Sequence, residues 1–266
     1  MIAVLAAAAI AASEFGFALD GEPAQGSLVR GIAPPDTVAL TLDGAPVPVA
    51  PDGRFLLGFD RDAGPSARLA ARLADGRELE RTLGVAPRGW RIERVNMLRP
   101  SGEPSPEFRR RRDGELARIA AARARGSDSV GWNQRFVWPA RGRISGRFGS
   151  QRIYRGGVAA AYHSGTDVAS GAGATVVAPA DGVVTLAPPP MFSLEGNLVI
   201  VDHGMGLNSA FLHLASVAVR EGQRVRQGEP IGTVGATGRA TGPHLHWSLM
   251  WNGARIDPQA VAGGME

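Results

Sequence analysis

His163-Ser-Gly-Thr-Asp-Val168 decides how this chain is read. A histidine and an aspartate four residues apart can meet across one turn of helix or across a bend in extended chain. A straight strand would hold them about 13 Å apart, too far for two groups that each sit about 2 Å from one metal ion. Gly165, the Thr-Asp-Val run and nearby Gly171 and Gly173 argue against a helix. The spacing therefore predicts a bend at Ser164-Gly165 that leads into a strand.

The sequence on either side agrees with that choice. Strands are expected over Thr175–Ala178, Gly182–Leu186, Leu198–Asp202, Ser209–Leu214, Arg224–Val225, Pro230–Val234 and His244–Met250. Glycine-rich loops separate them, notably Gly235–Gly242. No stretch after residue 130 reads as a long amphipathic helix, so residues 132–260 are expected to form a predominantly antiparallel β domain.

Further upstream, residues 22–86 read as a small β-sandwich-like domain. Thr37–Leu42 alternates, and Asp43-Gly44, Pro51-Asp-Gly53 and Asp75-Gly76 are turn sequences between short apolar runs. No titratable cluster lies in it, which leaves a binding or spacer module and a passive structural domain as readings. Residues 87–131 read as a linker with a basic helix. Ser105 is placed as its N-cap, Pro106 at its first position, Gly114 as a weak point and Gly126 as a stop. The Arg109–Arg112 run is read either as a solvated face or as a contact with an anionic polymer or with the face of the next domain. The overall class is mainly β with a helical linker.

Composition sets further limits. A chain of 266 residues is long enough for about two domains. Its 36 glycines, 19 prolines and 6% aromatics suit short strands joined by turns. There is no cysteine, so no disulfide supports the fold and any metal site must use histidine and carboxylate. The net charge of +4 is carried largely by arginine, and no aromatic-basic motif, helix-turn-helix or zinc-finger pattern points to nucleic acid. Residues 1–18 form a signal-like segment: the apolar run Met1–Ala12 ends in small residues and is too short to span a bilayer. No Lys or Arg precedes the run, and a buried alanine-rich segment is the competing reading; export is favoured. No stable membrane span is expected.

Four of the five histidines fall in three short segments: the His163 segment, Phe211-Leu-His-Leu214 and Pro243-His-Leu-His-Trp247. Together with Asp167 they suffice for one metal ion with an open position and two helper groups. In His244-Leu-His246, residues two apart on a strand share a face about 7 Å apart, so one can bind a metal while the other reaches a substrate or water. His203 is read as structural, and Asp202 and Asp257 as turn residues.

These segments, with Ala178–Val184, Gly235–His246 and Arg255-Ile-Asp-Pro258, resemble the lysostaphin- or LytM-type zinc metallopeptidases that cut peptidoglycan peptides. The resemblance spans about half the chain, from near Phe136 to near Pro258. It implies that His163, Asp167 and His246 bind Zn2+ and that His213 and His244 are a catalytic pair, with base and oxyanion roles undivided between them. Tyr154, nine residues before His163, is an oxyanion or substrate-contact candidate by the same resemblance. Ser248 stands where many relatives carry Glu, which touches groove chemistry and leaves the ligand set intact.

The function implied is an exported zinc metalloendopeptidase acting on peptidoglycan stem or cross-link peptides, in the periplasm or at the cell wall. Choice between D-Ala-linked cross-links and oligoglycine bridges would reside in the loops 151–162 and 188–196. The alternative is a non-catalytic regulatory module of the same fold that activates a partner amidase; such modules lack the zinc ligands. An intramolecular cover of the groove by the N-terminal region is also expected from its position.

Overall fold

Ser66–Leu73 shows why the N-terminal part folds as sheet: exposed Ser66, Arg68 and Arg72 alternate with buried Ala67, Leu69, Ala71 and Leu73, the period of a half-buried strand. In the computed structural model, which describes residues 16–99 and 103–265, the chain is mainly β with two α-helices among the described residues. It divides into two units, one reaching to Pro87 and one starting at Arg88. The expected signal-like run Met1–Ala12 lies outside the described residues. Phe17 is fully buried and a strand begins at Ala18, so the first unit starts ahead of the expected Glu22.

Among the described residues the first unit holds seven strands: β1 (Ala18–Asp20), β2 (Leu28–Ile32), β3 (Thr37–Leu42), β4 (Ala45–Pro46), β5 (Arg54–Gly58), β6 (Ser66–Leu73) and β7 (Glu78–Gly84). They form two antiparallel sheets, β1-β2-β5 and β4-β3-β6-β7. Asp43 and Gly44 both take positive φ in the β3–β4 turn, as a tight hairpin requires.

The second unit opens with β8 (Ile92–Arg94) and α1 (Pro106–Ala124). The Ser105 hydroxyl accepts the Phe108 N–H at 3.1 Å, Pro106 occupies the first turn, and Gly114 does not interrupt the helix. Next come β9 (Arg143–Gly146), β10 (Gln151–Tyr154), β11 (Val158–Ala159), β12 (Thr166–Ala169), β13 (Thr175–Val177), β14 (Gly182–Leu186) and β15 (Asn197–Asp202). The chain closes with β16 (Leu207–Val217), β17 (Arg224–Val225), β18 (Pro230–Val234), β19 (Leu245–Trp251), β20 (Ala254–Ile256) and α2 (Pro258–Ala262). One ten-stranded antiparallel sheet runs β17-β14-β15-β16-β19-β12-β9, with β18 bridging β13 to β16 and β20 beside β19.

Two differences from the sequence reading matter. The stretch read as a linker is built into the second unit: β8 pairs in parallel with β10, and Arg88 forms a 2.8 Å ion pair with Asp257. The α1 helix also buries Ala122 in a cluster with Leu186, Phe192, Leu198, Ile200 and Ala210, against which Ile119 and Leu212 pack. The stretch 151–162, read as a loop, contains the β10–β11 hairpin. No helix among the described residues is long and apolar enough to cross a membrane.

Candidate metal centre

Sheet register brings the histidine segments together. In β12 and β19, Asp167 and His246 are direct cross-strand partners, so their side chains leave the same face. The expected bend falls at Gly165, ahead of β12. A Cβ there would collide with the Trp247 carbonyl and the His246 ring, so only glycine lets the chain pass. Gly146, paired with Asp167 on β9, likewise leaves room for the Asp167 carboxylate where a Cβ would strike it.

His163 Nε2 lies 3.1 Å from Asp167 Oδ1, and His246 Nδ1 lies 2.8 Å from that oxygen and 3.1 Å from His163 Nε2. These three atoms form a compact triangle of two imidazole nitrogens and one carboxylate oxygen. A tetrahedral ion bound at about 2.0–2.1 Å has donor–donor edges of about 3.4 Å, close to the observed separations. The donor set therefore fits a zinc-like ion and leaves a fourth position. His163 Nδ1 is 3.2 Å from the Arg147 carbonyl; a carbonyl can only accept, so in the neutral ring that nitrogen carries the proton and Nε2 presents its lone pair, whereas the protonated ring donates from Nε2 to Asp167.

His213 and His244 stand beside the triangle, their ring centroids 4.9 Å apart. His244 Nε2 is 3.8 Å from Asp167 Oδ1, and the His213 ring is 6.3 Å from that of His246. Backbone carbonyls fix both tautomers. His213 Nδ1 donates to Thr237 O at 2.9 Å and His244 Nδ1 donates to Gly242 O at 2.8 Å, leaving Nε2 unprotonated in each neutral ring. His213 also has φ of 65°. The register of β15 against β16 shifts here, from Val199–Phe211 to Asn197–Leu214. His213 thus sits in a bulge that re-aims its side chain, and its N–H is held by the Glu195 carbonyl at 2.8 Å.

Electrostatics prepare the triangle for a cation. Burial disfavours charge on Asp167, but hydrogen bonds from His163 and His246 outweigh it and hold the carboxyl well below its usual range. Burial pushes His246 down, toward the neutral ring that a metal requires. Burial also pushes His213 down. His163 moves up because its hydrogen bond to Asp167 overcomes burial.

The other candidates fall elsewhere. Tyr154 ends β10, where its hydroxyl interacts with Arg152, and no described hydrogen bond joins it to the histidines. His203 is fully buried, bonded to the Asp181 carbonyl and to Ser209 Oγ, each at 2.8 Å. Asp202 is a buried acceptor for the Ser127 N–H, and Asp257 caps α2. The carbonyls of Arg147, Thr237 and Gly242 carry no sequence signal, because any residue supplies one.

Residues 161–258 match peptidase family M23. Over 124 residues the chain is 37% identical to peptidoglycan DD-endopeptidase ShyA of Vibrio cholerae, covering 47% of this chain and 28% of that protein. It is 43% identical over 100 residues to DD-carboxypeptidase/endopeptidase Mpg of Neisseria meningitidis, covering 38% of this chain and 23% of that one. The chain thus spans about a quarter of the length of these curated relatives. A crystal structure from Pseudomonas aeruginosa assigned to peptidase M23 is similar over nearly the whole length, at 31% identity and a TM-score of 0.70, covering 92% of this chain and 97% of that one.

Proposed function

This chain belongs to peptidase family M23, and from that membership we propose that it is an exported, zinc-dependent endopeptidase that hydrolyses peptide bonds in peptidoglycan stem or cross-link peptides. The observation that carries this reading is the triangle of His163, Asp167 and His246 with two tautomer-fixed imidazoles beside it. Export is part of the proposal because that substrate lies outside the cytoplasm.

In this reading His163 Nε2, Asp167 Oδ1 and His246 Nδ1 hold the zinc. Zinc, when bound, supplies Lewis acidity, lowering the pKa of a water toward about 7 and polarising the scissile carbonyl. His213 and His244 keep their Nε2 lone pairs, so either can take a proton from the attacking water and return it to the leaving amine. A ring that has taken up a proton at Nε2 is an imidazolium able to donate to the developing oxyanion, so the pair can divide proton transfer and oxyanion stabilisation between them. Asp167 stays ionised throughout and fixes the orientation of both ligand imidazoles. Tyr154 is left outside the proposed machinery, since its hydroxyl interacts with Arg152 on its own strand.

The complete donor set weighs against the non-catalytic alternative. Zinc analysis of the purified full chain separates the two. We expect about one equivalent in the wild type and a marked loss in His246→Ala; a wild type that binds no zinc at micromolar concentration would remove the proposal.

A further inference from the structure

His163 supplies one corner of the triangle, and a single four-residue turn holds its backbone and the far nitrogen of its ring. The Ser150 N–H donates to the Arg147 carbonyl at 3.3 Å, which closes a turn over Arg147–Ser150. Gly149, its third residue, has φ of 77° while Phe148 lies outside the positive region, the pattern of a type II turn. The His163 N–H donates to the Ser150 carbonyl at 2.8 Å, and the His163 carbonyl accepts the Gly149 N–H at 2.9 Å. His163 Nδ1 makes its 3.2 Å contact with the Arg147 carbonyl of the same turn. A shift of the turn therefore carries Nε2 with it.

The turn is buttressed by a segment far away in sequence, in the stretch that reads as a linker. Trp90 directly precedes the parallel pairing of β8 with β10, where the Gln151 N–H donates to the Arg91 carbonyl at 3.0 Å. That register lays the indole against Gly149: a Cβ on Gly149 would strike the six-membered part of the Trp90 ring. Glycine is thus required here by the backbone and again by the ring. Trp90 also meets the buried Phe148 ring edge-on at 5.6 Å, and Phe148 meets Tyr162 in the same manner at 5.9 Å. Tyr162 adjoins His163, so the aromatic row ends beside the ligand itself. The Trp90 ring carries the Arg88 guanidinium 4.6 Å from its centroid, and Arg88 is pinned in turn by its 2.8 Å ion pair with Asp257.

We propose that Trp90 is a positioning residue for the metal ligand His163: its indole clamps the Arg147–Ser150 turn and thereby fixes where Nε2 presents its lone pair. The inference rests on the reading of the triangle as a zinc site, and metal binding can be measured without cleavage. A ligand already held in place gives up less conformational freedom when the ion binds. With the indole removed, the turn loses the surface it packs on, and the ion itself has to order His163. Residues that orient a metal ligand from behind act on affinity in this way without touching the metal.

The test measures the zinc affinity of the full chain by competition against a chelator, beside the Tm of the metal-free protein. Trp90→Ala should weaken zinc binding about 10-fold or more, the size expected when the support of a metal ligand is removed. Trp90→Phe keeps a ring against Phe148 and should recover most of that loss. A residue that only supports the fold would lower Tm and leave the zinc affinity of the folded protein at the wild-type value; that result overturns the proposal. Should Trp90→Ala fail to fold, Trp90→Leu, which keeps apolar bulk without a flat ring, carries the same expectation. Cleavage of a peptidoglycan peptide, assayed in parallel, separates the two readings. A wild type that binds zinc and cleaves nothing, with Trp90→Ala still the weaker binder, keeps the positioning role and removes the peptidase reading. A wild type that binds no zinc removes both.

Discussion

Arg112 of α1 grips Glu195 with both terminal nitrogens, each 2.6 Å from a carboxylate oxygen, and the backbone carbonyl of the same Glu195 accepts the His213 N–H. A helix from the stretch read as a linker is thereby tied to the loop that holds a proposed catalytic imidazole. Glu115, buried on the same helix, reinforces the loop by accepting from both the backbone N–H and the hydroxyl of Ser193. This arrangement makes Arg112 a positioning residue for His213.

Arg112→Ala should therefore lower kcat by about 10- to 100-fold with little change in KM, the size expected when a reacting group is displaced by a fraction of an ångström to 1 Å. Arg112→Lys should recover part of the loss, since charge is kept and the two-pronged geometry is not. Steady-state kinetics on a peptidoglycan peptide checks it; a rise in KM at constant kcat would assign Arg112 to substrate binding instead.

Gly146 makes room for the Asp167 carboxylate. Gly146→Ala should push that carboxylate out of the triangle and weaken zinc affinity about 10-fold or more, with the fold retained. Competition titration against a chelator reads the affinity, and circular dichroism reads the fold. Unchanged affinity would show that Asp167 is not held from that side.

His203 gives the folded state a pH dependence away from the metal centre. Its ring is fully buried and burial depresses its pKa from the ordinary 6.5 to about 4. Below about pH 6.5 the unfolded chain takes up a proton that the folded chain refuses, so the stability contribution is complete above pH 6.5 and is lost as pH falls toward 4. The depression from 6.5 to about 4 corresponds to about 3 kcal/mol. Urea denaturation between pH 7 and pH 4.5 should show this loss, reduced in His203→Gln; an identical pH slope in that variant would assign the loss to other groups.

Truncation distinguishes the two units. A chain starting at Arg88 keeps β8, α1 and the whole ten-stranded sheet, and should unfold cooperatively. A chain starting at Val130 loses α1 and uncovers Leu186, Leu198 and Ile200. Its Tm should be lower by about 5 °C or more, with faster aggregation. Equal melting temperatures for the two would mean that α1 adds nothing to the core.

Much of this was legible from residue types and spacing. The mainly β architecture followed from alternation and turn sequences, as in Thr37–Leu42 with Asp43-Gly44, because period and turn chemistry are local properties. The bend at Gly165 was legible because a metal-sized triangle excludes a straight strand between His163 and Asp167. The α1 start was legible in Ser105-Pro106. Its docking was not, because Arg112 finds Glu195 83 residues away, a pairing that composition cannot name. The His213 bulge was hidden as well, since register slips depend on both strands. The second half of the stretch 87–131 looked like a linker because α1 buries so few side chains, chiefly Glu115, Ile119 and Ala122.

The central claim is that the five-residue site cuts peptide bonds in peptidoglycan, and mass spectrometry of soluble fragments released from purified peptidoglycan tests it most directly. Wild-type protein with zinc should release fragments whose masses require hydrolysis of a peptide bond, and His246→Ala should release none above background. Equal release by His246→Ala, or wild-type fragments formed without any peptide-bond cleavage, would contradict the account.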